Sequence, residues 1–254
     1  FASTITGMAG AKLGGPAGCF VAAVIGAEFG KLVSKETKVD IIITPMVTII
    51  TGVATGVFIG PTINTMMVAL GALIMKATEL QPIPMGILVS VLMGLILTAP
   101  ISSAAVAMML KLGGLAAGAA TVGCAAQMVG FAVASYRENG WGGLVSQGLG
   151  TSMLQVPNIV RNPRILIPPT LAGAILGPIA TTIWPMTNIP AGAGMGTSGL
   201  VGQFGTFEAM GMTGGVMFKV VMLHFILPAI LTILISEYMR KTGWIKYGDM
   251  KLDN

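Results

Sequence analysis

The chain has 254 residues, of which 9% are charged and 54% hydrophobic, with a mean hydropathy of +0.86. Soluble domains carry about 25% charged residues, so this composition excludes a soluble globular protein and predicts an all-α integral membrane protein. The formal net charge of +5 does not point to nucleic acid, because the bases cluster beside the ends of apolar stretches: Lys31, Lys35 and Lys38; Arg161 and Arg164; Arg240, Lys241, Lys246 and Lys251. By the positive-inside rule those segments face the cytoplasm, where they also meet anionic lipid head groups.

In chain order, Leu13 to Val33 reads as a first membrane segment, rich in the Gly and Ala that let helices approach closely. Phe1 stands where an initiating Met is expected and no signal-peptide pattern is present, so an N-terminal segment beyond this chain is expected. A second segment runs from Val39 to about Ile59, where Gly60-Pro61 interrupts it. Thr62 to Glu79 reads either as a further crossing or as an amphipathic interfacial helix.

Pro82 and Pro84 open Met85 to Leu97, which is short for a crossing that needs about 20 residues. Thr98-Ala-Pro-Ile-Ser-Ser-Ala-Ala follows, where Pro100 breaks the helix and Thr98, Ser102 and Ser103 supply hydroxyls that can re-satisfy freed backbone or face a cavity. This is the first candidate re-entrant hairpin. Leu112 to Tyr136 is a Gly/Ala-rich crossing with Gln127 as its strong hydrogen-bonding side chain. Arg137 to Arg164, with Trp141 and many Gly residues, is expected at the interface.

Ile165 to Trp184 crosses again, Pro185 to Gly215 is the second irregular region, and Val216 to Tyr238 is the last crossing before a polar cytoplasmic tail over 239–254. Residues 165 to 207 carry no charge, yet their second half is too rich in Gly to be an ordinary helix. Non-helical backbone at membrane depth is tolerated only where protein buries it or where it lines a polar cavity, and such broken segments hold cargo in transporters. Topology is strained: two cytoplasmic basic segments require an even number of crossings between them, and the confident segments give an odd one, so Thr62–Glu79 or an irregular region must also span.

Gly194-Met-Gly-Thr-Ser-Gly199 matches the dinucleotide fingerprint formally, but no strand precedes it and Glu208 falls too early for the ribose-binding acid. The same glycines can instead expose backbone groups to a polar solute. Asn188, Thr197, Ser198, Gln203 and Thr206 add neutral donors and acceptors, which suit a sugar-like ligand because each hydroxyl both donates and accepts. Close helix packing through small residues is the competing explanation.

Glu208 is the only charge between Arg164 and Lys219, which makes it either a functional acid or an ordinary interfacial one. His224, the only histidine, reads as a core residue bonded to backbone or as a proton relay or solute contact. One His cannot build a metal site here, and Cys19 and Cys124 sit in apolar Gly/Ala-rich surroundings as packing residues. No catalytic residue, metal or cofactor is expected.

Leu13-Gly-Gly-Pro-Ala-Gly-Cys-Phe-Val-Ala-Ala-Val-Ile-Gly-Ala-Glu-Phe-Gly, Phe58-Ile-Gly-Pro-Thr-Ile, Thr98-Ala-Pro-Ile-Ser-Ser-Ala-Ala and Pro190-Ala-Gly-Ala-Gly-Met-Gly-Thr-Ser-Gly-Leu-Val-Gly-Gln resemble the membrane IIC component of the bacterial sugar phosphotransferase system, in its stand-alone branch related to the fructose type. The resemblance covers nearly the whole chain. It implies a single membrane domain over 1–254 in the bacterial cytoplasmic membrane, usually dimeric. That domain moves a sugar to a separate IIB protein, which phosphorylates it. It further implies that Thr98–Ala105 and Asn188–Gln203 are two re-entrant hairpins framing the sugar; Glu208 and His224 remain further solute-contact candidates as ionisable residues in apolar segments. Fructose-type relatives show Gly-Pro-Val-Asn-Lys-Ala-Ala where this chain has Ala99-Pro-Ile-Ser-Ser-Ala-Ala, so an amide and a cation are replaced by two hydroxyls. The other readings are a membrane solute sensor that keeps the same fold, and a carrier uncoupled from phosphorylation.

Overall fold

A computed structural model describes residues 2–35 and 39–252, so Lys38 and the last two residues of the tail lie outside the described residues. The described residues are helical, without a strand, and six of the helices are long and apolar enough to cross a membrane: Gly14–Val33, Asp40–Phe58, Gly60–Leu80, Gly114–Ala134, Pro163–Ile183 and Gly214–Lys241. Pro82–Thr98 is a shorter apolar helix. This is a multi-pass, all-α membrane protein. Its chain divides into two compact units, Phe1–Ala72 with Met108–Lys111, and Leu73–Ala107 with Leu112–Asn254.

In the first unit, α1 (Ala2–Val33) is two helices joined at Gly15, whose φ of 61° lies in the left-handed region that glycine adopts without penalty. The two halves fold back on each other. Gly10 lies against Gly18 and Ala22, and Thr6 against Gly26, pairs that a straight helix would hold far apart. The missing side chains at Gly10, Gly18, Gly26 and Gly52 are what bring α2 (Asp40–Phe58) and both halves of α1 together. Thr48, Thr51 and Thr55 return their hydroxyls to carbonyls one turn back, which satisfies them without water. Only Ile59 separates α2 from α3 (Gly60–Leu80), so Gly60-Pro61 marks a junction between helices rather than a loop, and Thr62–Glu79 belongs to a helix of spanning length.

The second unit is built around α6 (Gly114–Ala134), whose span is 94% buried. Before it come α4 (Pro82–Thr98) and the short α5 (Ser103–Met109). After it come α7 (Tyr136–Val145), α8 (Val156–Arg161) and α9 (Ile167–Pro178), the last extended by a π-helical turn over Ile179–Ile183. Then follow α10 (Pro190–Ala193), α11 (Val201–Met210), α12 (Gly214–Val221) and α13 (Leu227–Lys241), with a π-helical turn over Met222–Ile226 joining the last two.

Small residues let α4, α6 and α9 touch backbone to backbone. A Cβ at Gly123 would fall on the Ser90 carbonyl, and one at Gly177 on the Gly86 carbonyl. Ser90 faces Gly123 and Thr98 faces Gln127, so α4 and α6 run in the same direction. α9 runs the opposite way, with the Ser90 hydroxyl donating to Gly173 O (2.9 Å) and Thr181 to Pro82 O (2.7 Å). Between the parallel α4 and α6 the chain must come back, and it does so through Ala99–Ser102 and α5.

One end of this unit is basic and aromatic. All three tyrosines, Tyr136, Tyr238 and Tyr247, lie there with Trp141 and Trp244, alongside Arg137, Arg164, Arg240 and Lys241. The polar tail is folded onto this end: Ile245 and Met250 are buried beside Phe131, Ile165 and Met239. Glu138, with 1% of its side chain exposed, pairs with Arg240 at 3.1 Å and accepts from the Gly248 and Met250 amides. The opposite end, formed by Gly114, Trp184–Asn188 and Gly211–Gly215, is neutral at these residues.

Candidate functional site

Two non-helical turns meet in the second unit. The first is Ala99–Ser102, where Pro100 prevents α4 from continuing. The second is Gly194–Leu200, between α10 and α11, where Gly196, Gly199 and Leu200 all have positive φ. Gly196 lies against Cys124 and Ala125, Thr197 reaches the Met128 sulfur, and Thr98 reaches Gln127. Both turns therefore stop at the same level of α6, which is about 20 Å from its Gly114 end and about 10 Å from its basic end at 1.5 Å per residue.

The turns are bonded to each other. Ser103 donates to the Gly194 carbonyl at 2.6 Å, and the bare Cα of Gly194 allows it: a Cβ there would fall on the Ser103 carbonyl. A third segment closes the arrangement. The Thr197 hydroxyl donates to Gly148 O, and Ser198 donates to Gly150 O at 2.9 Å. Ser152 shares a hydrogen bond of 2.9 Å with Thr98, whose other neighbour Gln127 is itself bonded to Thr170 at 2.8 Å.

Between the three segments lies a cavity of about 330 Å³, and the hydroxyl-bearing residues Ser102, Ser103, Thr151 and Ser198 are part of its lining. Leu97, Pro100, Ile101, Met153 and Met195 supply apolar walls, and no charged residue lines it. That volume is at the lower end of the range of about 300–1,000 Å³ for small-molecule sites. Ser102 is exposed and only weakly engaged, accepting from Ala105 N at 3.3 Å, so its hydroxyl is free to donate.

The sequence candidates thus divide. Ser102, Ser103 and Ser198 line the cavity, while Thr98 and Thr197 stand behind it and hold the turns in place. Asn188 is buried further along α6, donating to Thr121 at 2.6 Å and to Gly202 O at 2.9 Å, and its own carbonyl accepts from Ile189 N. It braces the entry and exit of the second turn. Thr206 bonds back to Gly202 O, and Gln203 meets His224 at 3.0 Å, both buried and outside the cavity lining. Glu208 is exposed on α11, also outside it. Thr151, Gly150 and Ser152 were missed, since they sit in the segment read as interfacial. The one signal for them was the glycine content of Gly142–Gly150, which here frees carbonyls to accept from the second turn.

The family model for the phosphotransferase system EIIC matches residues 1–252. The chain belongs to that EIIC family. No curated protein and no solved structure matches it. Family membership and the six spanning-length helices together make this EIIC the multi-pass membrane permease component of a sugar phosphotransferase system. Among the described residues no cluster of His, Cys, Asp and Glu could hold a metal ion, and both cysteines are free.

Proposed function

We propose that this EIIC carries a neutral, sugar-like solute through the bilayer and presents it, in the cavity between the two turns, to a separate IIB protein that phosphorylates it. The observation that carries this reading is the cavity itself: hydroxyl-bearing residues from three separate segments line a space with apolar walls and no charged residue. A sugar presents hydroxyl edges and C–H faces, which such a lining matches in kind. Ser102, Ser103, Thr151 and Ser198 are the solute contacts in this reading, and Thr98, Thr197 and Asn188 hold the turns.

The two turns act as re-entrant hairpins. Each enters from the neutral end, and both stop closer to the basic end, which the positive-inside rule places in the cytoplasm. A solute at that depth needs only a short opening of the basic end to meet a cytoplasmic phosphate donor, and closure of the hairpins behind it gives alternating access. The whole chain acts as one membrane domain, and the active form is a dimer of the stand-alone type. The sensor and uncoupled-carrier alternatives share the cavity and differ only in whether solute crosses and whether it leaves phosphorylated.

Uptake into proteoliposomes with a panel of labelled hexoses and hexitols separates these outcomes. The reading predicts that at least one crosses, and that phosphorylated IIB inside the vesicle converts it to the phosphate ester. Binding without crossing would favour the sensor, and crossing without phosphorylation the uncoupled carrier. If no member of the panel binds, the solute class is wrong.

A further inference from the structure

The segment that forms the third side of the cavity is itself held from behind by a chain of buried amides. Gln147 and Gln155 are both fully buried, and the Gln155 amide donates to Gln147 Oε1 at 2.9 Å and to the Met250 carbonyl at 3.0 Å. Gln147 donates in turn to the Ser135 hydroxyl at 2.8 Å and to Gly143 O, which fixes it to the end of α6. Asn158 donates to Gln155 Oε1 and to the Lys251 carbonyl, each at 2.9 Å. Gln147 and Gln155 bracket Gly148, Gly150 and Ser152, whose two carbonyls and one hydroxyl are the partners of Thr197, Ser198 and Thr98.

We propose that Gln155, anchored to the folded tail at Met250, is a positioning residue for the solute cavity: through Gln147 it fixes the Gly148–Ser152 segment against both turns. The physical reason is the cost of the alternatives. A buried amide left without its partners loses most of its hydrogen-bonding free energy, so the segment has one low-energy placement while the tail is docked. Gly148 and Gly150 would otherwise give it wide conformational freedom. The tail is then a clasp behind one wall of the cavity, and a polar sequence with no apolar run of its own supports the site. The inference rests on reading that cavity as the solute site, but its test needs no solute.

The test is thiol labelling of the purified protein in detergent. Cys19→Ser and Cys124→Ala remove the native thiols, Thr151→Cys reports the cavity, and Met212→Cys, at the neutral end and 70% exposed, is the control. The probe is an anionic methanethiosulfonate reagent. Gln155→Leu keeps the volume but removes every hydrogen bond, and it is expected to raise the labelling rate at Thr151→Cys by about tenfold through local opening while leaving Met212→Cys unchanged. Should Gln155→Leu fail to yield folded protein, Asn158→Ala, which removes one link to the tail, decides the matter with an expected rise of about threefold. Unchanged Thr151→Cys labelling in a folded variant, or an equal rise at Met212→Cys, overturns the clasp. A rise at Thr151→Cys alone, in a protein that binds no sugar, would keep the clasp and reject the solute assignment.

Discussion

The two turns reach the same level of α6 by opposite means. The first, Ala99–Ser102, is made by a proline that stops a helix, and it keeps its Ser102 hydroxyl exposed to the cavity. The second, Gly194–Leu200, is made by glycines and a left-handed leucine, and its hydroxyls at Thr197 and Ser198 are engaged by carbonyls of the 146–150 segment. One turn therefore offers side chains and the other is held by them. The difference predicts that mutations in the second turn disturb structure, whereas the exposed hydroxyl of the first can be removed with an effect on solute alone.

The largest effect is expected at the bond between the turns. Gly194→Leu places a side chain on the Ser103 carbonyl, and overpacking on this scale costs about 3 kcal/mol or more. Size-exclusion profiles and thermal unfolding in detergent should show aggregated or strongly destabilised protein. Next is Thr98→Val, which keeps the shape but leaves Ser152 and Gln127 facing a methyl group. Orphaned buried partners cost about 1–3 kcal/mol, which thermal unfolding would register as a lowered midpoint.

Gly199→Ala sharpens the contrast, because its Cβ would meet only open space apart from Val201 and the whole penalty comes from a φ of 52°. The expected loss is about 1 kcal/mol, again read from the unfolding midpoint. Smallest in stability is Ser102→Ala. Its exposed hydroxyl makes only the 3.3 Å contact, so the midpoint should move by no more than about 0.5 kcal/mol. A Ser102 variant as destabilised as Gly199→Ala would erase the distinction between the turns.

Both turns were legible in the sequence because each sets a helix-breaking residue type in an uncharged stretch: Pro100 in one, the Gly192–Gly205 run in the other. That conflict between bilayer and backbone is visible without coordinates. The third side was not legible. Gly148, Gly150 and Thr151 lie among Gly, Ser and Gln between two basic clusters, a composition shared by any surface loop. Only the hydrogen bonds from Thr197 and Ser198 distinguish it.

The docking of the tail was not legible for a related reason. Trp244 to Leu252 has no apolar period, and its docking depends on Glu138, Asn139 and Gln155 capturing its backbone, contacts that span about a hundred residues of sequence. Beyond the turns the polar residues are alike in type, and type does not report direction. Asn188 and Thr206 are as polar as Ser102, but their partners are neighbouring carbonyls and a threonine rather than the cavity.

The central claim, that the uncharged cavity between the turns binds a neutral polyhydroxy solute, is tested most directly by equilibrium binding of the labelled hexose and hexitol panel to purified protein, wild type against Ser102→Ala. The account predicts saturable binding of at least one member, weakened about tenfold by Ser102→Ala, as the loss of one hydrogen bond worth about 1.4 kcal/mol requires. No binding by the wild type, or equal affinity in the folded variant, would contradict it.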